Sequence, residues 1–384
     1  MKILYIASSS AWGGASIALY NLIVELKEKH EILVLFPSNK GRFCDELDKI
    51  GVEYESVPYN LNIYPLNRFG LKWLYVFMRT LYRNWKARRF LYDLIHQFNP
   101  DIVHNNVGPL DISSKVCKKL GIPHVWHQRE YSNLIGLYFI PNENSFRKRV
   151  LSKVNYNIAI TNGVYKYLNL RQSIDTVIYD PVFDENKYKL NKDCPKDNYF
   201  LFVGRVENAK GTLDAIKAFD CFNKENPNFC LLIAGKYNPK IFPYCKECEK
   251  YVVSHHLKDK VLFLGELPNV FELMSKAQAL LVPSLFEGFG FITAEAMLNH
   301  CLVIGRNTTG TKEQFDMGLK QTGKEIGFRF MTIDEMVQSM FYVIEHDLSE
   351  LRKLAFQVVL KNYSRQRHAR EVEFYYNKIL SEKI

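Results

Sequence analysis

The feature that most narrows the fold of this chain is an alternation of short apolar runs with longer stretches of helical spacing, sustained from end to end. In the first half the runs are Ile3–Ala7, Ile32–Phe36, Tyr54–Val57, Ile102–His104, Pro123–Trp126 and Ile158–Thr161. In the second half they are Tyr199–Val203, Cys230–Ala234, Val261–Leu264, Ala279–Val282 and Leu302–Ile304. Runs this apolar need cover on both faces, which parallel strands flanked by helices obtain. The fold class is therefore α/β, with doubly wound parallel sheets. A chain of 384 residues is long for one core, and a hydrophobic content of 47% is ample for two. The charged, proline-containing stretch Asp180–Asp197 reads as the joint. The expected division is an N-terminal domain over 1–180, a linker over 181–194 and a C-terminal domain over 195–362, with a polar-rich helix at about 363–384.

Two motifs follow strands of the second half. Glu287–Met297 reads EGFGFITAEAM, with Glu287 at the lip of a Gly-x-Gly turn and Glu295 one to two turns into a following helix. A strand, a glycine turn and a helix start present free backbone N–H groups and a positive dipole end, a recipe for holding phosphate. Carboxylates beside it suit the vicinal hydroxyls of a sugar or ribose. Val203–Gly211 reads VGRVENAKG, and its cations, Arg205 and Lys210, offer a planar fork and a compact point charge to a diphosphate. Each motif alone is also compatible with a solvated loop; in one run of alternating strands and helices they support each other.

Together, GRVENAKG and the E-x(7)-E of PSLFEGFGFITAEAM resemble the retaining, family-4 nucleotide-sugar glycosyltransferases of the GT-B fold. The glycine-rich SSSAWGGASIALYNL after the first strand fits as well, and the resemblance spans nearly the whole chain. It implies two Rossmann-like domains facing across a cleft, with the final helix crossing back to an acceptor-binding N-terminal domain. By this resemblance Arg205 and Lys210 hold the donor diphosphate, Glu295 the ribose and Glu287 the transferred sugar. Backbone groups of Gly290, Phe291 and Ile292 complete the phosphate cradle, Gly13 and Gly14 close over it, and His127 lies against the donor sugar. Departures from the pattern are LNHCLVIG after EAM, RNTTGTKE in the next loop and DPVFD in the linker, which leave base and sugar identity open.

No run of uncharged apolar residues is long enough to span a bilayer, and the N-terminal MKILYIASSS reads as a buried strand and not an export signal. The eight cysteines form no repeating framework and are expected as thiols in a cytoplasmic protein. Cys245 and Cys248 with His255 and His256 are a zinc candidate, weakened by the missing second C-x(2)-C. No D-x-D motif occurs; with Arg205 and Lys210 able to neutralise a diphosphate, neither a metal nor another cofactor is expected. Most of the net charge of +10 falls in the first 190 residues. It concentrates in Arg68–Arg89, where Arg79, Arg83, Arg88 and Arg89 are interleaved with aromatics and no acid intervenes. That pattern suits peripheral contact with an anionic membrane or a lipid-linked acceptor, and equally a core helix with solvated cations. A second basic cluster, Arg147–Arg149 beside Phe146, adds to the membrane side of that balance.

The expected activity is transfer of a hexose from a UDP- or GDP-sugar, with retention, to a hydroxyl of a glycan or lipid-linked acceptor in bacterial surface polysaccharide synthesis. The alternatives are a nucleotide-sugar isomerase such as a UDP-sugar 2-epimerase, and a nucleotide-sugar binder without activity. A nucleic-acid partner is not expected, since the basic excess lies in one aromatic-rich helix without a recognised nucleic-acid motif. His104, Asp180 and Asp184 read as structural, the two aspartates as turn formers.

Overall fold

The structure, a computed structural model, describes residues 1–64, 71–131, 136, 138–188 and 194–382. In chain order the first elements are β1 (Lys2–Ile6), α1 (Gly14–Leu26), β2 (Glu31–Phe36), α2 (Arg42–Lys49), β3 (Glu53–Ser56) and α3 (Leu71–Phe98). They are followed by β4 (Ile102–Asn105), α4 (Ser114–Leu120), β5 (His124–Gln128), α5 (Glu143–Val150), β6 (Asn155–Ala159), α6 (Asn162–Tyr167) and β7 (Thr176–Val177). Next come β8 (Tyr199–Val203), α7 (Thr212–Asn223), β9 (Cys230–Ala234), α8 (Pro243–Ser254), β10 (Val261–Gly265), α9 (Phe271–Lys276) and β11 (Ala279–Val282). The chain ends with α10 (Phe291–Leu298), β12 (Leu302–Arg306), α11 (Thr309–Thr322), β13 (Phe328–Phe330), α12 (Ile333–Glu345), α13 (Ser349–Asn362) and α14 (Arg365–Ser381).

These elements form two compact units, Met1–Glu185 with Arg365–Ile384, and Asn186–Ser364. The first is built on a seven-stranded sheet of order β3-β2-β1-β4-β5-β6-β7, with every pair parallel. Alternation along β1 sends Tyr5 to one face, with Phe36, Phe43 and Ile23, and Leu4 and Ile6 to the other, with Ala87, Leu91 and Ile95 of α3. The last helix, α14, packs on α1 in this unit and contributes Val372, Tyr376 and Ile379 to the first face. Its return is fixed by polar contacts too. The Tyr376 hydroxyl meets His104 Nδ1 and Tyr5, and Tyr375 donates to the Ile174 carbonyl at 2.7 Å. Arg365, at its start, pairs with Glu25 at 2.8 Å and with Asp184.

The second unit carries a six-stranded sheet of order β10-β9-β8-β11-β12-β13, again parallel throughout. Phe200, Phe219, Phe222 and Met340 fill one side of it. Cys245 and Cys248 point from α8 into the same core and are fully buried, whereas His255 and His256 lie exposed beyond the helix end. Among the described residues no group of three or more His, Cys, Asp or Glu is placed to hold a metal.

Some boundaries differ from expectation for physical reasons. β6 begins at Asn155 because two buried asparagines are satisfied there: Asn157 Nδ2 donates to Asp175 at 2.9 Å and Asn155 Oδ1 meets His124 at 2.8 Å. Thr161, expected in that strand, instead caps α6 by accepting from Val164 N–H at 3.2 Å. Asp180 is not a turn former, whereas Asp184 stands directly before the turn at 185–187 and also pairs with Arg365. Asp180 is buried against Arg129, and a buried guanidinium needs such a partner. Tyr376→Ala should cost about 3–5 kcal/mol by leaving a cavity under α14. Tyr376→Phe, which keeps the packing, should cost about 1–3 kcal/mol by stranding its buried partners; urea denaturation of both variants measures the difference.

Candidate functional site

In the second sheet β8 has β9 on one side and β11 on the other, so the chain moves outward in one direction and later restarts in the opposite one. Beyond the carboxyl ends of β8 and β11 the connections diverge, and such a switch point leaves an open crevice. The two motifs are the loops that leave these two strands.

They are joined closely. Gly211, at φ +69°, sits where an added Cβ would lie 2.5 Å from the Pro283 carbonyl oxygen, so only glycine fits. The Leu285 N–H donates to the Ala209 carbonyl at 3.0 Å. Lys210 Nζ then meets Glu287 Oε1 at 2.6 Å, tying together the cation of one motif and the first acid of the other. Arg205 reaches outward with its side chain 67% exposed and pairs with Glu207 at 3.0 Å.

Gly290 starts α10 at φ +87° with no side-chain cap and no acid in the first turn. The first N–H groups of the helix, at Phe291 and Ile292, therefore lack intrahelical acceptors, and the positive dipole end is not neutralised. Glu295, on the same helix, is partly buried, and burial pushes its carboxyl up to about 7.

The start of α11 supports this loop. Glu287 N–H donates to Thr309 Oγ1 at 2.9 Å, and Gly310 N–H donates to the Glu287 carbonyl at 3.0 Å. Gln314, buried, donates to the carbonyls of Phe289 and Gly290 at 2.7 and 3.0 Å. Arg306, at the end of β12, bridges Asp214 of α7 at 2.7 Å and the Pro283 carbonyl at 3.0 Å. None of these four positions stood out in the sequence, although all lie in or beside the RNTTGTKE segment.

The first unit has its own switch point, between β1 and β4. Gly13 and Gly14 are exposed at the uncapped, acid-free start of α1. Gly13 has extended backbone and nothing within 4 Å of an added Cβ, so the fold itself does not demand glycine there. Asn106, just past β4, donates to the Ala15 carbonyl at 2.9 Å and accepts from Arg129 at 2.9 Å. His127 is only 1% exposed and stands between His104 and His368, with ring centroids 5.5 and 6.4 Å away. Burial and the Arg129 guanidinium hold its pKa well below the usual range, so it is neutral. With Arg129 donating to Nδ1 at 3.3 Å, the proton belongs on Nε2, which has no partner among the described residues. His124 points the other way and is satisfied by Ser113 and Asn155, each at 2.8 Å. Glu130, beyond β5, was passed over in the sequence; burial pushes its carboxyl up to about 7, and its Oε2 also lacks a partner among the described residues.

The basic region divides. Arg79 and Arg89 stand on the exposed face of α3, while Arg83 and Arg88 are half-buried on its flanks. Arg68, Phe69 and the Lys72 side chain lie outside the described residues. Arg147 and Arg149 are turned inward, Arg147 to Glu143 at 3.2 Å and Arg149 to Asp111 at 2.5 Å, so that cluster offers only Lys148 freely to solvent.

Residues 12–185 match Glycosyltransferase Family 4 and residues 183–346 match Glycosyl transferases group 1. The chain belongs to this glycosyltransferase family. A lipopolysaccharide core biosynthesis mannosyltransferase of Rhizobium meliloti is 25% identical over 46% of this chain and 52% of its own length. An N-acetyl-D-galactosaminyltransferase of Campylobacter jejuni, named for a diNAcBac-PP-undecaprenol-linked substrate, is 24% identical over 82% of this chain and 81% of its own. The chain thus spans about half the length of the first of these curated relatives. Among solved structures, Anabaena Alr3699/HepE in complex with UDP and glucose superposes with a TM-score of 0.77 at 18% identity, covering 98% of this chain and 100% of that one. The fold is GT-B.

The Glu295 carboxyl holds its proton up to about pH 7 in the folded chain and only to about 4.5 when unfolded. Its contribution to stability is therefore full below about pH 4.5 and lost as pH rises through 7. Glu295→Gln, which never ionises, should be more stable than the parent at pH 8, by on the order of 1–3 kcal/mol. The gap should close on acidification, as followed by melting temperature across pH.

Proposed function

We propose that this chain is a retaining hexosyltransferase that uses a UDP- or GDP-sugar and glycosylates a hydroxyl of a glycan or lipid-linked acceptor without a metal ion. The observation that carries the reading is the union of the two motifs at the switch point of the second sheet: Lys210 on Glu287, beside the uncapped start of α10. The UDP and glucose bound by the Anabaena protein support a nucleoside-diphosphate donor. The names of the Rhizobium and Campylobacter relatives support an acceptor in surface-polysaccharide or lipid-linked glycan synthesis, which would take place on the cytoplasmic side.

In this reading the donor diphosphate takes Arg205 and Lys210 as counterions and the N–H groups of Gly290, Phe291 and Ile292 as donors. Such pre-aimed groups act where charge grows on the leaving group. Glu295 accepts from the ribose hydroxyls, and Gly13 and Gly14 let backbone approach the phosphates. The bond between the sugar's anomeric carbon and the diphosphate oxygen breaks, and the acceptor oxygen bonds to that carbon on the same face. The acceptor proton passes to the departing phosphate. Glu287 positions the sugar and offsets oxocarbenium charge, while the Nε2–H of His127 donates to a sugar hydroxyl.

A melting-temperature panel with UDP, GDP, ADP, CMP and dTDP, with and without magnesium, tests the donor site. Stabilisation by UDP or GDP without magnesium is expected; no response to any of them would overturn the reading. Arg205→Ala and Lys210→Ala should lower kcat by about 10²–10³-fold with little change in melting temperature. Full activity in either would remove its residue from the site.

A further inference from the structure

Among the described residues each sheet ends in two edge strands, and an edge strand presents unpaired main-chain N–H and C=O groups to any strand that can lie beside it. Three of these four edges are guarded. β3 points Glu53 and Glu55 into solvent, while β7 and β13 are only 2 and 3 residues long. β10 differs: its 5 residues, V-L-F-L-G, hold no charge and no proline. Val261 and Phe263 turn into the core of the unit. Leu262 and Leu264 turn the other way and stay 38% and 37% exposed. Leu267 and Phe271, which lead into α9, add two further open apolar side chains. The Lys260 carbonyl accepts from Leu231 N–H at 2.8 Å. Alternate residues of a parallel strand bond to the same neighbour, so Phe263 turns its N–H and C=O away from β9. The register shift against β9 falls between Phe263 and Gly265, which leaves the strand regular up to Phe263.

Charge and sequence identify what pairs with it. Set antiparallel to a second copy of itself about Phe263, the segment Lys260–Glu266, K-V-L-F-L-G-E, is its own complement. Leu262 faces Leu264 of the second copy and Leu264 faces its Leu262, giving two cross-strand leucine pairs on the open face. Lys260 comes opposite Glu266 of the second copy at one end, and the same pair recurs at the other. Glu266 is exposed, and Lys260, whose Nζ donates to the Pro227 carbonyl, has two further protons for a carboxylate. A slip of one residue sets Asp259 or Val261 against Glu266 and loses the leucine pairs, so the register is specified. A strand of unrelated sequence would bring no such match at both ends. The pairing is two-fold symmetric, with the same patch used by both copies, and it closes without leading to a fibre.

We propose that β10 pairs antiparallel with β10 of a second copy, so that the chain forms a two-fold symmetric dimer through the edge of its second sheet. The inference does not depend on sugar transfer. Sedimentation velocity of the full chain over a concentration series should show a monomer–dimer equilibrium. Leu262→Lys with Leu264→Lys should weaken association by about tenfold or more. Lys260→Glu alone and Glu266→Lys alone should each weaken it about tenfold, because two like-charge pairs replace two ion pairs. An equimolar mixture of these two single variants should recover the dimer, since both contacts across the two-fold are then of opposite charge. Leu262, Leu264 and Glu266 are exposed and Lys260 is half-buried, so far-ultraviolet circular dichroism of every variant should match the parent. Recovery in the mixture separates the interface from any folding defect. A chain that stays monomeric at every concentration, a dimer indifferent to the two leucine substitutions, or a mixture no better associated than either single variant would overturn the proposal.

Discussion

The second unit depends on how closely two backbones approach. Gly211 faces the Pro283 carbonyl with no room for a side chain, and from that approach the site follows. It brings the loop after β8 within hydrogen-bonding reach of the loop after β11, and it sets Lys210 on Glu287. Neighbouring strands alone would not do this. Loops that diverge from a switch point tend to splay, and here Arg306, bonded to both Asp214 and Pro283, holds them together from behind. Gly310 repeats the device one strand along: an added Cβ would lie 2.4 Å from the Phe289 carbonyl oxygen. The loop between Glu287 and Gly290 is thus clamped from both sides before any ligand arrives, which is what preorganised binding of a charged group requires.

The charges of the site are balanced against one another. Arg205 leans on Glu207 and Lys210 on Glu287, so neither cation is left bare. Glu295 has no such partner among the described residues, and burial keeps its proton on to about pH 7. A dianionic ligand would draw both cations from their carboxylates, leaving Glu287 free to meet a developing positive charge. The weak hold on Arg205, whose partner is itself partly exposed, makes that exchange cheap. Exposed ion pairs of this kind contribute little to stability.

Much of this was legible in the sequence, for identifiable reasons. Strands buried on both faces announce themselves as apolar runs, and β8, β9 and β11 have the bounds that their runs indicate. Where buried polar groups replace apolar ones, as at Asn155 and Asn157 in β6, the signal fades. The short strands Thr176–Val177 and Phe328–Phe330 are too brief to carry a pattern. The motif cations and acids were visible because charge beside glycine after a strand has a chemical meaning. Arg306, Thr309 and Gln314 were not, since their roles lie in bonds to main-chain groups that only the fold brings near. For the same reason Asp180 read as a turn, although it is the counterion of a buried arginine.

That arginine explains why the last helix belongs to the first unit in more than a packing sense. Arg129 donates to Asn106, His127 and Asp180, residues that follow β4, end β5 and begin the joint between the units. His368 of α14 closes over the same cluster, and neither of its ring nitrogens has a partner among the described residues. Burial holds His368 near a pKa of about 4 and His104 and His127 well below their usual range. One guanidinium is therefore surrounded by three neutral imidazoles and the Asp180 carboxylate, with the buried Glu130 carboxyl beside it. Such a cluster is costly unless every member is placed by packing. Tyr376, one helical face along from His368, supplies that placement by bonding His104 and filling the space beneath it. The return of α14 thus fixes the orientation of His127 as well as covering the sheet, which ties the geometry at the carboxyl end of β5 to residues nearly two hundred and fifty positions away.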